Sequence, residues 1–138
     1  MIRLHHTGYV VASIAESAPE FAESMSLTWD GQVIHDPMQM VNVTFLPFND
    51  PHHATVELVE AAGARSPVRK FAESGGGLHH VCYEVPDLQQ HIARSEAAGC
   101  TLVRVPLKAM AFNGRKIAWV KTRAGLLVEF LEAAPTTV

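Results

Sequence analysis

The chain has 138 residues, of which 48% are apolar and 18% are charged, and its formal net charge is −3. These values are typical of one globular domain with a hydrophobic core, and the small negative charge excludes general attraction to nucleic acid or to an anionic membrane. No apolar run reaches the roughly 18 residues of a membrane-spanning helix, and Met1 leads into a strand-like segment without a signal peptide, so we expect a cytoplasmic protein.

The first strand-like segment of the chain is repeated. LHHTGYVV, from Leu4 to Val11, agrees at five of eight positions with LHHVCYEV, from Leu78 to Val85. TVELVEA, from Thr55 to Ala61, agrees at four of seven positions with LVEFLEA, from Leu127 to Ala133. The two offsets are 74 and 72 residues, in the same order along the chain. This pattern indicates duplication of a whole supersecondary unit.

In the first half, a predicted helix over Ile14–Met25 follows the opening strand, and Pro19 must occupy its first turn or a kink. Three further strands are predicted, over Gln32–Ile34, Val41–Leu46 and Ala54–Val59. A linker comes next, in which Ser66 and Pro67 predict the N-cap and first position of a short helix that three glycines end.

In the second half, strand Val81–Val85 leads to Asp87, a predicted N-cap, and Gly99 is the stop signal of that helix. Three more strands are predicted, over Leu102–Val105, Lys116–Val120 and Leu126–Leu131. The order is therefore βαβββ in each half. We predict an α+β fold in a single domain over residues 1–138, with module one at 1–61, a linker at 62–76 and module two at 77–134.

Two acids lie in the middle of apolar strands. Glu57 is flanked by Val56 and Leu58, and alternation places Glu129 on the same face as Leu127 and Leu131, which should be buried. A buried carboxylate is costly unless it is paired or binds a metal. Two of them at equivalent positions of a repeat therefore predict a site.

Each half contributes one such glutamate and one histidine doublet, His5-His6 or His79-His80. If the modules face each other about a pseudo-twofold axis, two imidazoles and two carboxylates meet. This mixed set suits a divalent ion such as Zn²⁺, Co²⁺, Ni²⁺, Mn²⁺ or Fe²⁺, with positions open to substrate. Alternation along the strand leaves open which histidine of each doublet is the ligand.

The chain resembles the vicinal oxygen chelate superfamily, and within it the methylmalonyl-CoA epimerases, over Leu4 to Glu132. The resemblance is carried by HHTGYVV, MQMVNVTFLPF, VELVEAAGARSPVRKF, GGGLHHVCYEV and GLLVEFLE. It implies two βαβββ modules around a metal. The implied ligands are the second histidine of each doublet, His6 and His80, together with Glu57, where the family often has glutamine, and Glu129.

The resemblance also implies proton transfer next to a thioester or ketone carbonyl, with Glu57 and Glu129 as ligands and as acid or base. Some epimerases carry an additional glutamate as a proposed base, and this chain has Val43 at the aligned position. The family's His-Gly and His-Pro pairs are here Asn113-Gly114 and Lys121-Thr122. A homodimer is a further expectation from the family.

The implied partner is a small-molecule substrate such as an acyl-CoA. Six cations in a stretch without acids could hold its phosphates: Arg104, Lys108, Arg115, Lys116, Lys121 and Arg123. A glyoxalase I-like lyase is an alternative, although its glutathione contacts are not recognisable here. An extradiol dioxygenase is disfavoured because no histidine follows His91. A metal-free binding protein on the same fold is less consistent with four intact ligand positions.

Overall fold

The computed structural model describes residues 1–48, 50 and 52–135. Within them the chain forms an α+β structure, and the predicted βαβββ order is present in both halves. The strands are β1 Arg3–Val10, β2 Ile34–Asp36, β3 Val41–Leu46, β4 Thr55–Ala61, β5 Gly77–Val85, β6 Thr101–Lys108, β7 Lys116–Lys121 and β8 Leu127–Glu132. The helices are α1 Ile14–Ser24, α2 Arg69–Glu73 and α3 Leu88–Ala97, with a short 3-10 helix at Met110–Phe112. None of the helices in this part of the chain is long and apolar enough to cross a membrane.

The chain divides into two compact units, one of His6–His79 and one of Met1–His5 with His80–Val138. In the first unit the strand order is β2-β3-β4-β1, with β1 parallel to β4 and the other pairs antiparallel. Helix α1 packs on one face of these strands. The buried cluster beneath it consists of Ile14, Ala18, Ala22, Leu46, Val56 and Leu58.

The second unit repeats this arrangement. Its strand order is β5-β8-β7-β6, with β5 parallel to β8 and the other pairs antiparallel. Helix α3 packs on one face, over a buried cluster of Val85, Leu88, Ile92, Ala118, Val120 and Phe130. The prediction that residues 1–138 form a single domain stays a prediction.

The two long helices begin at equivalent residues. Ser13 caps α1 and accepts a hydrogen bond from the Glu16 amide at 3.3 Å, and Asp87, 74 residues later, accepts one from the Gln90 amide at 3.0 Å. The predicted N-cap at Asp87 is therefore confirmed. Pro19 lies inside α1, in its second turn, which excludes the first-turn placement.

The linker helix begins later than the sequence predicted. Ser66 and Pro67 precede it, and Val68 occupies the N-cap position without a side-chain hydrogen bond. The Ser66 hydroxyl instead accepts a hydrogen bond from the Val68 amide at 3.4 Å, so it closes a local turn before the helix. The prediction of Ser66 as N-cap is therefore wrong, although α2 itself is present.

Strand β3 has the predicted bounds, β5 begins four residues before the predicted Val81, and β2 and β6 differ from the prediction for local reasons. Strand β2 starts at Ile34, two residues after the predicted start at Gln32. The Gln32 amide donates to the Asp30 carboxylate at 2.9 Å, and this local hydrogen bond favours a turn over a strand at that position. Strand β6 continues past Pro106, where the sequence predicted an end. It is the outermost strand of its unit and pairs with β7 through two register shifts, and edge strands with bulges tolerate proline.

The glycine run before β5 serves a close approach. A Cβ on Gly76, whose φ is +66°, would collide with the carbonyl oxygen of Val10. Only glycine combines this left-handed conformation with so short a distance to backbone. The linker can therefore pass directly against the end of β1.

Candidate metal and active site

In module one, the pleat of the strands decides which side chains face away from α1. Tyr9 and Leu58 pair in register between β1 and β4, and both pack on the helix side. Glu57 and His6 therefore lie on the opposite face, since side chains alternate. There His6 is completely buried, and its Nε2 is 3.5 Å from the Glu57 carboxylate.

Module two places its residues in the same way. Tyr83 and Phe130 pair in register and pack on the helix side. His80 and Glu129 lie on the opposite face, both buried, with His80 Nε2 3.7 Å from a Glu129 oxygen. The structure therefore brings each predicted histidine next to the glutamate of its own module.

An aromatic side chain contacts the histidine in both modules. Phe45 of β3 pairs in register with Glu57, and its ring meets His6 edge-to-face at 5.9 Å between centroids. Trp119 of β7 pairs in register with Glu129, and its ring meets His80 edge-to-face at 4.7 Å. In each module the aromatic ring therefore packs against the imidazole that lies beside the carboxylate.

The structure distinguishes the two members of each doublet. His6 and His80 are buried beside the glutamates, whereas His5 and His79 are half-buried and point the other way along the pleat. The ring of His5 contacts Phe112 edge-to-face at 5.3 Å, and that of His79 contacts Phe71 at 5.1 Å. Only the second histidine of each doublet shares a face with the carboxylate.

The donor atoms fit a divalent ion. Each pair offers an imidazole nitrogen and a carboxylate oxygen separated by 3.5 or 3.7 Å, which is longer than a hydrogen bond. Neighbouring donors that are each about 2.1 Å from a shared ion lie roughly 3.0 to 3.5 Å apart, so the His6–Glu57 separation is at the upper end of this range and the His80–Glu129 separation is slightly longer. The mixed nitrogen and oxygen chemistry is that of sites for zinc, cobalt, nickel, manganese or iron.

The repeated segments TVELVEA and LVEFLEA each contain a second acid, Glu60 or Glu132, and these two acids have a different role. A Glu60 oxygen accepts a hydrogen bond from the Ile14 amide at 2.7 Å, at the first residue of α1, and the other accepts from Asn42 at 3.1 Å. Glu132 accepts from the Lys116 amide at 3.3 Å. Both acids thus satisfy backbone donors, so the repeat duplicated a structural glutamate along with the buried one.

Sequence reasoning missed Glu84, which follows His80 and Cys82 on the same face of β5. Arg115 donates to its carboxylate at 2.9 Å, and Arg3 lies 3.4 Å from the other oxygen. Burial acts to raise the pKa of Glu84, but the hydrogen bond from Arg115 and the charges of Arg3, Arg115 and His5 outweigh it and lower that pKa. Glu84 is therefore held as an anion.

Residues 5–119 match the profile of the Glyoxalase/Bleomycin resistance protein/Dioxygenase superfamily. The chain belongs to this superfamily. The vicinal oxygen chelate fold that the resemblance implied is thereby confirmed, and the α+β arrangement of the two βαβββ modules agrees with it.

Three epimerases from other organisms resemble the chain over most of its length. An ethylmalonyl-CoA/methylmalonyl-CoA epimerase from Cereibacter sphaeroides is 27% identical over 92% of this chain and 95% of its own. A mitochondrial methylmalonyl-CoA epimerase from Dictyostelium discoideum is 28% identical over 86% and 75%. The solved structure of a single-substitution variant of Streptomyces coelicolor methylmalonyl-CoA epimerase, in complex with 2-nitronate-propionyl-CoA, has a TM-score of 0.83 and 19% identity, with coverage of 96% and 98%. This structural likeness supports the fold.

Proposed function

We propose that the chain is a divalent-metal-dependent epimerase of acyl-CoA thioesters, acting on a substrate of the methylmalonyl-CoA type. In this proposal His6, Glu57, His80 and Glu129 bind one ion. The observation that carries it is the repetition of a buried histidine beside a buried glutamate in both modules, at 3.5 and 3.7 Å. A buried carboxylate at two equivalent positions has a cost that metal binding offsets.

The chemistry follows from the residues. A bound divalent ion would supply Lewis-acid polarisation of a thioester carbonyl, which acidifies the adjacent carbon. One carboxylate of the Glu57 and Glu129 pair then removes the α-proton, and the other returns a proton to the opposite side of that carbon. Inversion needs two such groups, and the duplicated modules contain two. The aromatic contacts of His6 and His80 hold the imidazoles in place while the carboxylates exchange protons.

The position of the family's additional glutamate cannot supply the base. Val43 is buried in β3 on the face that carries Glu57, and its side chain has no group that takes a proton. The proposal therefore places acid and base function on Glu57 and Glu129 themselves. An enzyme organised in this way combines metal binding and proton transfer in the same two side chains.

The substrate class rests on the relatives. Two relatives, each aligned over at least 86% of this chain, are epimerases of methylmalonyl-CoA or of both ethylmalonyl-CoA and methylmalonyl-CoA. A thioester of coenzyme A is therefore the first substrate to test. The cytoplasmic location and the homodimer stay predictions.

The test is deuterium exchange at the α-carbon of methylmalonyl-CoA. The purified protein is loaded with Co²⁺, its metal content is measured, and the α-proton signal is followed by NMR in D₂O. We expect the signal to disappear faster than in buffer containing the same concentration of Co²⁺. Glu132→Gln is the matched control, because Glu132 lies in the same strand but accepts from backbone, and it should retain exchange. Metal-loaded protein without exchange above the buffer rate would contradict the proposed activity.

A further inference from the structure

The six cations that are close together in the sequence of module two do not form one surface. Arg115 is engaged by Glu84 and by the Glu132 carbonyl oxygen. Arg123 packs its guanidinium against Gly99, so close that a Cβ there would overlap it. The side chains of Arg115 and Arg123 are therefore occupied by contacts within the protein.

Lys108 and Lys116 are exposed and face each other in register between β6 and β7. Lys116 alternates with Ile117 and therefore shares the face of Ala118, which packs beneath α3. These two lysines lie on the helix side of the strands, away from the face of His80 and Glu129.

Arg104 and Lys121 differ from the other four. Arg104 pairs in register with Trp119, which itself pairs with Glu129, so the three residues form one row across β6, β7 and β8. Paired residues of antiparallel strands project to the same face, and the register shift between Leu102 and Arg104 breaks the alternation that would otherwise place Arg104 with Leu102 on the helix side. Lys121 is two residues beyond Trp119 on β7 and therefore shares that face as well.

Strand spacing places these cations close to the candidate metal ligand. Neighbouring strands are about 4.8 Å apart and each residue rises about 3.4 Å, so the Cα atoms of Arg104 and Lys121 lie roughly 8 to 10 Å from that of Glu129. Both side chains are exposed and long enough to extend over the half-buried Trp119 between them and the carboxylate. Among the residues that the structure describes, neither cation has an acidic side chain as partner.

Module one has no equivalent pair. The position that corresponds to Lys121 by the 74-residue offset is Pro47, and β2, which corresponds to β6, is only three residues long and carries no Lys or Arg. The cations are thus a property of one side of the duplicated structure.

We propose that Arg104 and Lys121 bind an anionic group of the thioester substrate and so determine which acyl-CoA the protein accepts. This inference rests on the proposed function. Guanidinium and ammonium groups without acidic partners favour a carboxylate or a phosphate through charge-assisted hydrogen bonds. The anion is either the free carboxylate of the acyl group or a phosphate of coenzyme A.

The test compares Arg104→Gln, Lys121→Gln and the double variant with the controls Lys108→Gln and Lys116→Gln, which remove the same charges from the same strands on the helix side. Binding of methylmalonyl-CoA to the metal-loaded protein is measured by calorimetry. Each site variant should raise Kd about ten-fold and the double variant by more, since a hydrogen bond to a charged group has about this effect. The controls should change Kd by less than about two-fold, as expected of exposed charges.

Two further ligands identify the anion. Methylmalonyl-pantetheine keeps the acyl carboxylate without the coenzyme A phosphates, and propionyl-CoA keeps the phosphates without that carboxylate. If the two cations bind the carboxylate, the double variant should lose affinity for methylmalonyl-pantetheine and keep its affinity for propionyl-CoA. If they bind a phosphate, it should lose affinity for propionyl-CoA and keep its affinity for methylmalonyl-pantetheine. Either result supports the inference.

Unchanged affinity of the double variant for all three ligands would overturn the inference, and so would an equal loss in the Lys108 and Lys116 controls. Absence of binding by the unaltered protein would also overturn it. Deuterium exchange by the unaltered protein decides the proposed function separately. Exchange together with unchanged affinity in the variants would reject only the role of the two cations.

Discussion

The two modules are alike on the face opposite their helices at the positions that could hold an ion. His6, Glu57 and Phe45 in module one correspond to His80, Glu129 and Trp119 in module two. The histidine lies beside the carboxylate and against an aromatic edge in both cases. In each module the register places the aromatic residue directly across from the glutamate.

The same faces differ elsewhere. By the 74-residue offset, Val10 of module one corresponds to Glu84 of module two, and Pro47 corresponds to Lys121. Gly8, opposite Glu57 in the register, corresponds to Cys82, opposite Glu129. Module two therefore adds an anion held by arginines and two exposed cations that module one lacks.

The shared and the differing positions correspond to two different requirements, binding of an ion and recognition of a substrate. The proposed metal binding is served by keeping the same donors in both copies, and the shared positions are those proposed donors and the rings beside them. A substrate such as an acyl-CoA is itself asymmetric, so the residues that recognise it are expected in one copy only. Charges confined to module two fit that second requirement.

The largest expected effect tests the likeness of the two modules. Glu57→Ala and Glu129→Ala should each abolish stoichiometric binding of Co²⁺, or weaken it by more than about 100-fold, because loss of a direct ligand exceeds the 10- to 100-fold effect of losing a supporting residue. Metal content of the purified variants and calorimetric titration with Co²⁺ measure this. Deuterium exchange should be lost in parallel.

Glu132→Gln and Glu60→Gln are the matched controls, since each replaces the second acid of the same strand, which serves backbone donors. Both should bind one equivalent of metal. If Glu57→Ala retained normal metal affinity while Glu129→Ala lost it, the two modules would not contribute alike. Normal affinity in both would remove the proposed site.

An intermediate effect tests the added acid of module two. Because the pKa of Glu84 is lowered in the folded state, its carboxylate stabilises the fold at pH values above the ordinary pKa of glutamate. This contribution is lost as the pH falls through the pKa of Glu84 in the folded state. Glu84→Gln should therefore reduce the free energy of unfolding by about 1 kcal/mol at pH 7. The difference from the unaltered protein should shrink below about pH 4.3.

Urea unfolding at pH 7 and at successively lower pH measures this. Glu73→Gln is the control, because Glu73 forms an exposed pair with Arg69 in α2 and should have almost no effect at either pH. A Glu84→Gln effect that stayed constant down to low pH would show that the carboxylate charge is not what stabilises the fold.

Much of the fold could be read from the sequence because the repeat identified equivalent strands, and strand alternation marked Glu57 and Glu129 as buried. The choice of His6 over His5 could not come from alternation alone. It required knowing that Tyr9 packs on the helix side, and this depends on tertiary contacts with α1. The resemblance supplied that choice, and the pleat of β1 agrees with it.

The remaining differences have local causes that the sequence signals did not resolve. Pro106 looked like the end of a strand, but it lies in an edge strand with register shifts, where a missing amide costs no pairing. The six cations are close together in the sequence, which suggests one surface, whereas alternation along β7 places Lys116 and Lys121 on opposite faces. Glu84 was missed because its partners Arg3 and Arg115 are distant in the sequence.

The smallest effect compares the two helix caps, which occupy equivalent positions 74 residues apart. Asp87→Ala should lower the free energy of unfolding by about 1 kcal/mol, because its carboxylate accepts from the Gln90 amide and carries a charge at the positive end of α3. Ser13→Ala should cost less, since the Glu60 carboxylate, which accepts from the Ile14 amide, still places a negative charge at the positive end of α1. Urea unfolding of the single variants measures both, and Ser13→Ala in a Glu60→Gln background should approach the full cost of a lost cap. If Ser13→Ala cost as much alone as in that background, the glutamate of β4 would not share the capping of α1, and the two helix starts would be equivalent in energy as well as in position.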